Sequence, residues 1–88
     1  MAYTVVFSRE ARKSIDRLGE IEKRRIKDKI GELMVDPYKA GKPLMGPFKV
    51  RNIRSCRIGS YRLLYTIFED KRTVLVVRVD RRKRVYRV

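Results

Sequence analysis

Histidine is absent from this 88-residue chain, and cysteine occurs once, at Cys56. A single thiol closes no internal disulfide, and without imidazoles it builds no zinc centre, so both usual staples of a small domain are missing. Carboxylates are scarce in the C-terminal half: only Glu69, Asp70 and Asp80 lie beyond residue 36. That leaves no clustered acidic set for metal-dependent hydrolysis. No apolar run approaches the roughly 20 residues that span a bilayer. The N-terminus follows a short Met1–Phe7 stretch with the charged Ser8–Lys13, which is not a signal-peptide pattern. The expectation is one domain over residues 1–88, cytoplasmic, away from membranes, with its lone thiol reduced. No metal and no cofactor is expected.

What is abundant is positive charge. Lys and Arg number 24 against 10 Asp and Glu, a formal net charge of +14. Such a field favours a polyanion, and RNA or DNA is the obvious one. The distribution is uneven. Residues 1–35 mix acids with bases, as on a solvated helix face. From Lys39 to Arg62 there are seven Lys or Arg and no acid, and Arg81 to Val88 holds five with no acid. Two acid-free segments point to a working surface rather than uniform decoration.

Ala2–Phe7 is rich in β-formers and reads as a strand. Ser8 is placed to cap a following helix, with Glu10 in its first turn. Ala11, Ile15 and Leu18 recur at helical spacing until Gly19. A second helix carries Ile21, Ile26, Ile30, Leu33 and Met34 as its apolar side, and Asp36-Pro37 ends it. Residues 37–48, with three prolines and two glycines, read as a loop. Phe48–Ile58, Tyr61–Phe68 and Thr73–Val79 read as strands, separated by Gly59-Ser60 and Glu69-Asp70-Lys71. The order is βααβββ: an α+β domain with an antiparallel sheet packed on a helix pair. Cys56, Met34, Met45, Tyr61 and Tyr65 read as packing residues.

The segment Arg57–Tyr65, RIGSYRLLY, resembles the central signature of the RelE/ParE toxin superfamily. The opening YTVVFSREARKSIDRL, the Lys42–Gly46 approach and the ending VDRRKRVYRV are similar to the same family, so the resemblance covers nearly the whole chain. It implies a compact RelE-like fold with the active surface on the sheet face away from the helices. It also implies the toxin of a type II toxin–antitoxin system: a ribosome-dependent endoribonuclease that cleaves messenger RNA through attack by the 2′-hydroxyl and inhibits translation. The implied partners are a cognate acidic RelB-like antitoxin, the ribosome and the messenger. The alternatives are a ParE-like inhibitor of DNA gyrase and a non-catalytic nucleic-acid-binding module.

The residue inventory constrains how such a nuclease would work. With no histidine, a paired-histidine mechanism is excluded, and arginine, lysine and tyrosine remain. RNA supplies its own nucleophile; the protein must align it, take its proton, stabilise charge on the phosphate and assist the leaving oxygen. A guanidinium binds phosphate bidentately and stays charged. A tyrosine titrates near pH 10, and neighbouring cations lower that value. By the resemblance, Arg62 stabilises the phosphate, Arg82 acts as general acid or transition-state stabiliser, and Tyr86 orients or deprotonates the nucleophile. Arg81 and Arg84 stand within two residues of Arg82 and remain alternatives for its role, and both are also candidate RNA contacts. Lys49, Arg51, Arg54 and Arg57 form a basic strand against the messenger backbone. Alternation sets Lys49, Arg51 and Arg57 on one face and Arg54 on the other, which favours Arg51 and Arg57. The plain alternative for each is a solvated charge, and for Tyr86 a ring pinning the tail to the core. The sequence departs from the family where a glycine and a histidine commonly precede the last-segment arginine: here they are Asp80 and Arg81.

Overall fold

The computed structural model describes residues 2–44 and 52–81. The chain runs through β1 (Thr4–Phe7), α1 (Arg9–Asp16), α2 (Glu20–Val35), a single-turn α3 (Pro37–Ala40), β2 (Lys42–Pro43), β3 (Arg54–Ile58), β4 (Tyr61–Phe68), a 3-10 turn (Glu69–Lys71) and β5 (Thr73–Arg81). The five strands form one sheet in the order β1-β5-β4-β3-β2. The α+β class and the helix pair are those expected. The sheet differs from the expected one in three ways: it has a fifth strand, β2; the strand expected over Phe48–Ile58 is Arg54–Ile58 among the described residues; and β1 lies parallel to β5, while every other pairing is antiparallel. Strand order in space is a long-range property, which local patterning does not report. Among the described residues no helix is long and apolar enough to cross a membrane.

Ser8 caps α1 as anticipated: its hydroxyl oxygen accepts from the Ala11 amide at 3.1 Å. The same hydroxyl donates to the Val77 carbonyl of β5 at 2.6 Å, tying the helix start to the sheet. Of the segment 37–48, read as a loop, the described residues 37–44 form a helical turn and a short strand. Asp36 closes α2 and at once caps α3, its carboxylate accepting from the amides of Tyr38 and Lys39, with Pro37 at the first helical position. The two residues of β2 then pair with Arg54 and Ser55. Elements of four and two residues are too short to leave a periodic signal.

The core lies between the sheet and the helices. Ala11, Ile26 and Leu33 from the helices meet Cys56, Ile58, Leu63, Tyr65, Val74, Val76 and Val79 from the strands. Two residues of the expected α2 face stay outside: Ile21 is 65% exposed and Met34 40%. At 100° per residue Ile21 lies about 140° around the helix from Ile26, and Met34 about 80°, whereas Ile30 and Leu33 fall within about 40° of it. Burial pushes the Cys56 thiol up to about 11, so it is an inert packing group.

One end of the domain is closed by polar contacts. The fully buried Tyr65 donates its hydroxyl to the Pro37 carbonyl at 2.7 Å. A Cβ on Gly41 would sit 2.5 Å from both the Tyr65 hydroxyl and the Ser55 carbonyl oxygen, so only glycine lets the chain pass between α3 and β3. Nearby, Glu69 accepts from Tyr38 at 2.6 Å and Tyr3 at 2.9 Å and pairs with Arg72 at 3.1 Å. The Tyr38 and Tyr3 hydroxyls, with Arg72, hold the Glu69 carboxyl below the usual carboxylate range. Replacing Tyr65 with Phe keeps the ring but takes away the donor to Pro37. The expected loss is about 1–3 kcal/mol of unfolding free energy. Urea denaturation measures it, and a midpoint equal to that of the parent would show that the α3 brace contributes nothing.

Candidate nucleic-acid interface

Strand β5 determines which side chains share the open face of the sheet. Its register against β4 slips between Leu64 and Tyr65: Leu64 faces Arg78 and Tyr65 faces Val76, leaving Val77 as an extra residue. A bulge of this kind reverses the alternation of the strand beyond it. Val74 and Val76 are buried before the slip and Val79 after it. Without the bulge, Arg78 and Asp80 would follow Val74 and Val76 into the core. With it they stand on the face away from the helices.

Register then assembles the face. Arg57 of β3, Arg62 of β4 and Asp80 of β5 occupy one row across three adjacent strands. Ser55, Leu64 and Arg78 occupy the next row. Adjacent strands are about 4.8 Å apart, so two arginines stand on neighbouring strands with an aspartate on the next. Arg62 is anchored from below: its guanidinium donates to the buried Ser55 hydroxyl at 3.1 Å. Asp80 is fixed by the Arg81 amide at 2.8 Å and pairs with Arg78 at a longer 3.7 Å. Towards β2 the same face turns apolar, with Leu64 packing on Leu44 and Ile53.

The candidates from sequence divide as follows. Arg57 and Arg62 are brought together. Arg54 is on the opposite face from Arg57, as alternation required, and there its guanidinium donates to the carbonyls of Tyr38 and Gly41 at 2.7 and 3.0 Å. It serves the α3 brace. Arg81 pairs in register with Tyr61 and lies 6.0 Å from that ring, and it lines a cleft at the α1 end with Lys13, Arg17, Arg78 and Asp80. Lys49, Arg51, Arg82, Arg84 and Tyr86 lie outside the described residues. Tyr65 is buried and offers no stacking surface for a base, in keeping with its reading as core. Sequence reasoning missed Ser55, Arg78 and Asp80. Residues 74–77 are a continuous apolar run, which hides the change of phase at Val77 from any reading of alternation.

This basic sheet face carries the hallmarks of a polyanion-binding surface, and comparison with known proteins gives it a class. The family model described as the ParE toxin of type II toxin–antitoxin systems, parDE, matches residues 5–86. Toxin RelG of Mycobacterium tuberculosis is 38% identical over 88 residues, covering 99% of both chains. The mRNA interferase toxin RelE of Escherichia coli is 31% identical over 84 residues, covering 96% of this chain and 87% of that protein. Among solved structures, the toxin–antitoxin complex RelBE2 of M. tuberculosis superposes with a TM-score of 0.82 at 35% identity, covering 93% of this chain and all of the matched chain. The isolated E. coli RelE toxin gives 0.76 at 28% identity, covering 97% and 92%. The chain therefore belongs to the RelE/ParE superfamily of type II toxins. Within it, the chain is a toxin of the RelE family.

Ser55→Ala is expected to remove one anchor of Arg62 at a cost of about 1 kcal/mol in stability while leaving the sheet intact. Side-chain nitrogen spectra of Arg62 should show faster exchange of its Nη protons with water. An Arg62 signal indistinguishable from the parent would show that the hydroxyl does not position it.

Proposed function

We propose that the protein is an endoribonuclease that cuts messenger RNA on the ribosome and so blocks translation. The observation that carries this reading is the Arg57–Arg62 row on the exposed sheet face, built from the RIGSYRLLY segment. Two arginines at strand spacing, Arg62 held by Ser55 and Arg57 exposed beside it, suit the doubly bonded recognition of one phosphate. The names of the relatives support the same reaction, since the E. coli protein is an mRNA interferase toxin. In the proposed step the 2′-oxygen attacks the adjacent phosphorus and the bond to the 5′-oxygen breaks. A 2′,3′-cyclic phosphate and a 5′-hydroxyl end result. Arg62 stabilises charge on the phosphoryl oxygens, Arg57 holds the backbone, and Arg51 and Lys49 extend that contact. Tyr86, as its phenolate, takes the proton of the 2′-hydroxyl, and Arg82 gives a proton to the leaving 5′-oxygen, with Arg81 or Arg84 as the alternative. None of these roles calls on a metal ion.

Arg62→Ala is expected to slow cleavage by about 100- to 1000-fold, the usual effect of losing one donor to a developing anion. Tyr86→Phe should slow it while leaving messenger binding unchanged. Both are read by mapping new messenger 5′ ends on ribosomes after induction. If induced cells go on incorporating amino acids while replication stalls, the protein is a gyrase inhibitor instead.

The partner that restrains it is an acidic, RelB-like antitoxin, in keeping with the toxin–antitoxin complexes formed by its structural relatives. A chain of net charge +14 draws an acidic partner from a distance. The association rate should fall by about tenfold or more from low to high ionic strength. A rate that ignores salt would overturn this model of neutralisation.

A further inference from the structure

Asp80 is out of place on a phosphate-binding face. Among the described residues it is the sole carboxylate in a strand; the others lie in helices or in the turns that flank them. It occupies the same row as Arg57 and Arg62, in register with Arg62 across β4 and β5. A carboxylate only accepts hydrogen bonds, and so does a phosphate oxygen, so the two repel. A charge there weakens the very contact that its neighbours make unless a different part of the ligand meets it.

Its geometry is that of a held acceptor. The side chain is one-fifth exposed. Oδ1 is occupied by the Arg81 amide at 2.8 Å, which fixes the plane of the group. Oδ2 has Arg78 at 3.7 Å, beyond good hydrogen-bond range, and keeps its capacity for a closer donor. The 2′-hydroxyl at the cleaved bond is engaged at the phosphate, and the other 2′-hydroxyls are the same for every base, so a donor that distinguishes nucleotides must be on a base. Cytosine N4, adenine N6 and guanine N2 are exocyclic amines. Uracil lacks one, and its single ring N–H is flanked by two carbonyl oxygens that a carboxylate repels.

We propose that Asp80 is a specificity-determining residue that accepts an exocyclic amino group from the base beside the scissile phosphate and disfavours uracil there. With the phosphate on the Arg57–Arg62 pair, Asp80 is the next group along the row, about one strand spacing from Arg62. This inference rests on the reading of the chain as a messenger nuclease, and the experiment separates the two.

Two messengers are compared that differ only in carrying cytosine or uracil at the nucleotide next to the cleaved bond. The pair is matched in size and differs in an amino group against a carbonyl. Wild-type protein should cut the cytosine messenger roughly tenfold faster, the scale of one good polar contact to a base edge. Asp80→Asn is isosteric and its amide both donates and accepts, so the ratio should fall to within about twofold of unity. The ratio is independent of how much variant protein is folded. Arg78→Gln should keep the preference for cytosine, whatever its effect on the rate. An unchanged ratio in Asp80→Asn would overturn the proposal, and loss of preference in Arg78→Gln would show that Asp80 acts only through its ion pair and overturn direct readout. Absence of cleavage of either messenger by the wild type would instead remove the nuclease reading, and this inference with it.

Discussion

The hydrogen bond from the Ser8 hydroxyl to the Val77 carbonyl joins the two ends of the chain at the point where β5 changes phase. Val77 is the surplus residue of the bulge, and its carbonyl takes a donor from the N-cap of α1. One short contact therefore sets the start of α1, holds it on β5, and lies beside the step that turns Arg78 and Asp80 outward. The parallel pairing of β1 with β5 reinforces it on both sides, through the Thr4 amide to Arg72 and the Ser8 amide to Val76. The make-up of the open face of the sheet and the packing of the first helix meet at the same local geometry.

That face works against the sheet that bears it. Arg57 and Arg62 stand directly opposite each other on neighbouring strands, and like charges in that arrangement destabilise the pair. Ser55 and Asp80 moderate the effect, the first through a hydrogen bond to Arg62 and the second as a negative charge one strand away. A phosphate bound between the guanidinium groups would relieve it further. Neighbouring, mutually repelling cations would gain from a bound anion, and an antitoxin rich in carboxylates would relieve the same repulsion.

The opposite end of the domain is built for rigidity. Tyr65, Arg54 and Gly41 lock α3 against β3 and β4, with the Tyr65 hydroxyl and the Arg54 guanidinium both directed to α3 and Gly41 carbonyls. Arg54 illustrates how a basic residue in a basic segment belongs to structure rather than binding. Its charge is no different from that of Arg57, and only its face and its partners distinguish the two.

Much was written in the chain itself. Apolar spacing placed both helices, β4, β5 and the end of β3, Ser8 and Asp36 marked helix ends, and RIGSYRLLY marked Arg62 and its hairpin. These are local signals, fixed by neighbours within a few residues. The tertiary structure decided what depends on distant partners: β1 joining β5 in parallel, the four-residue α3 and two-residue β2, and the sorting of arginines between faces. Arg57 and Arg54 differ through strand parity, which sequence could follow. Arg78 and Asp80 reach the site through a bulge, which it could not. A single inserted residue inverts every side chain after it, and its carbonyl accepts from a hydroxyl 69 residues away in the chain.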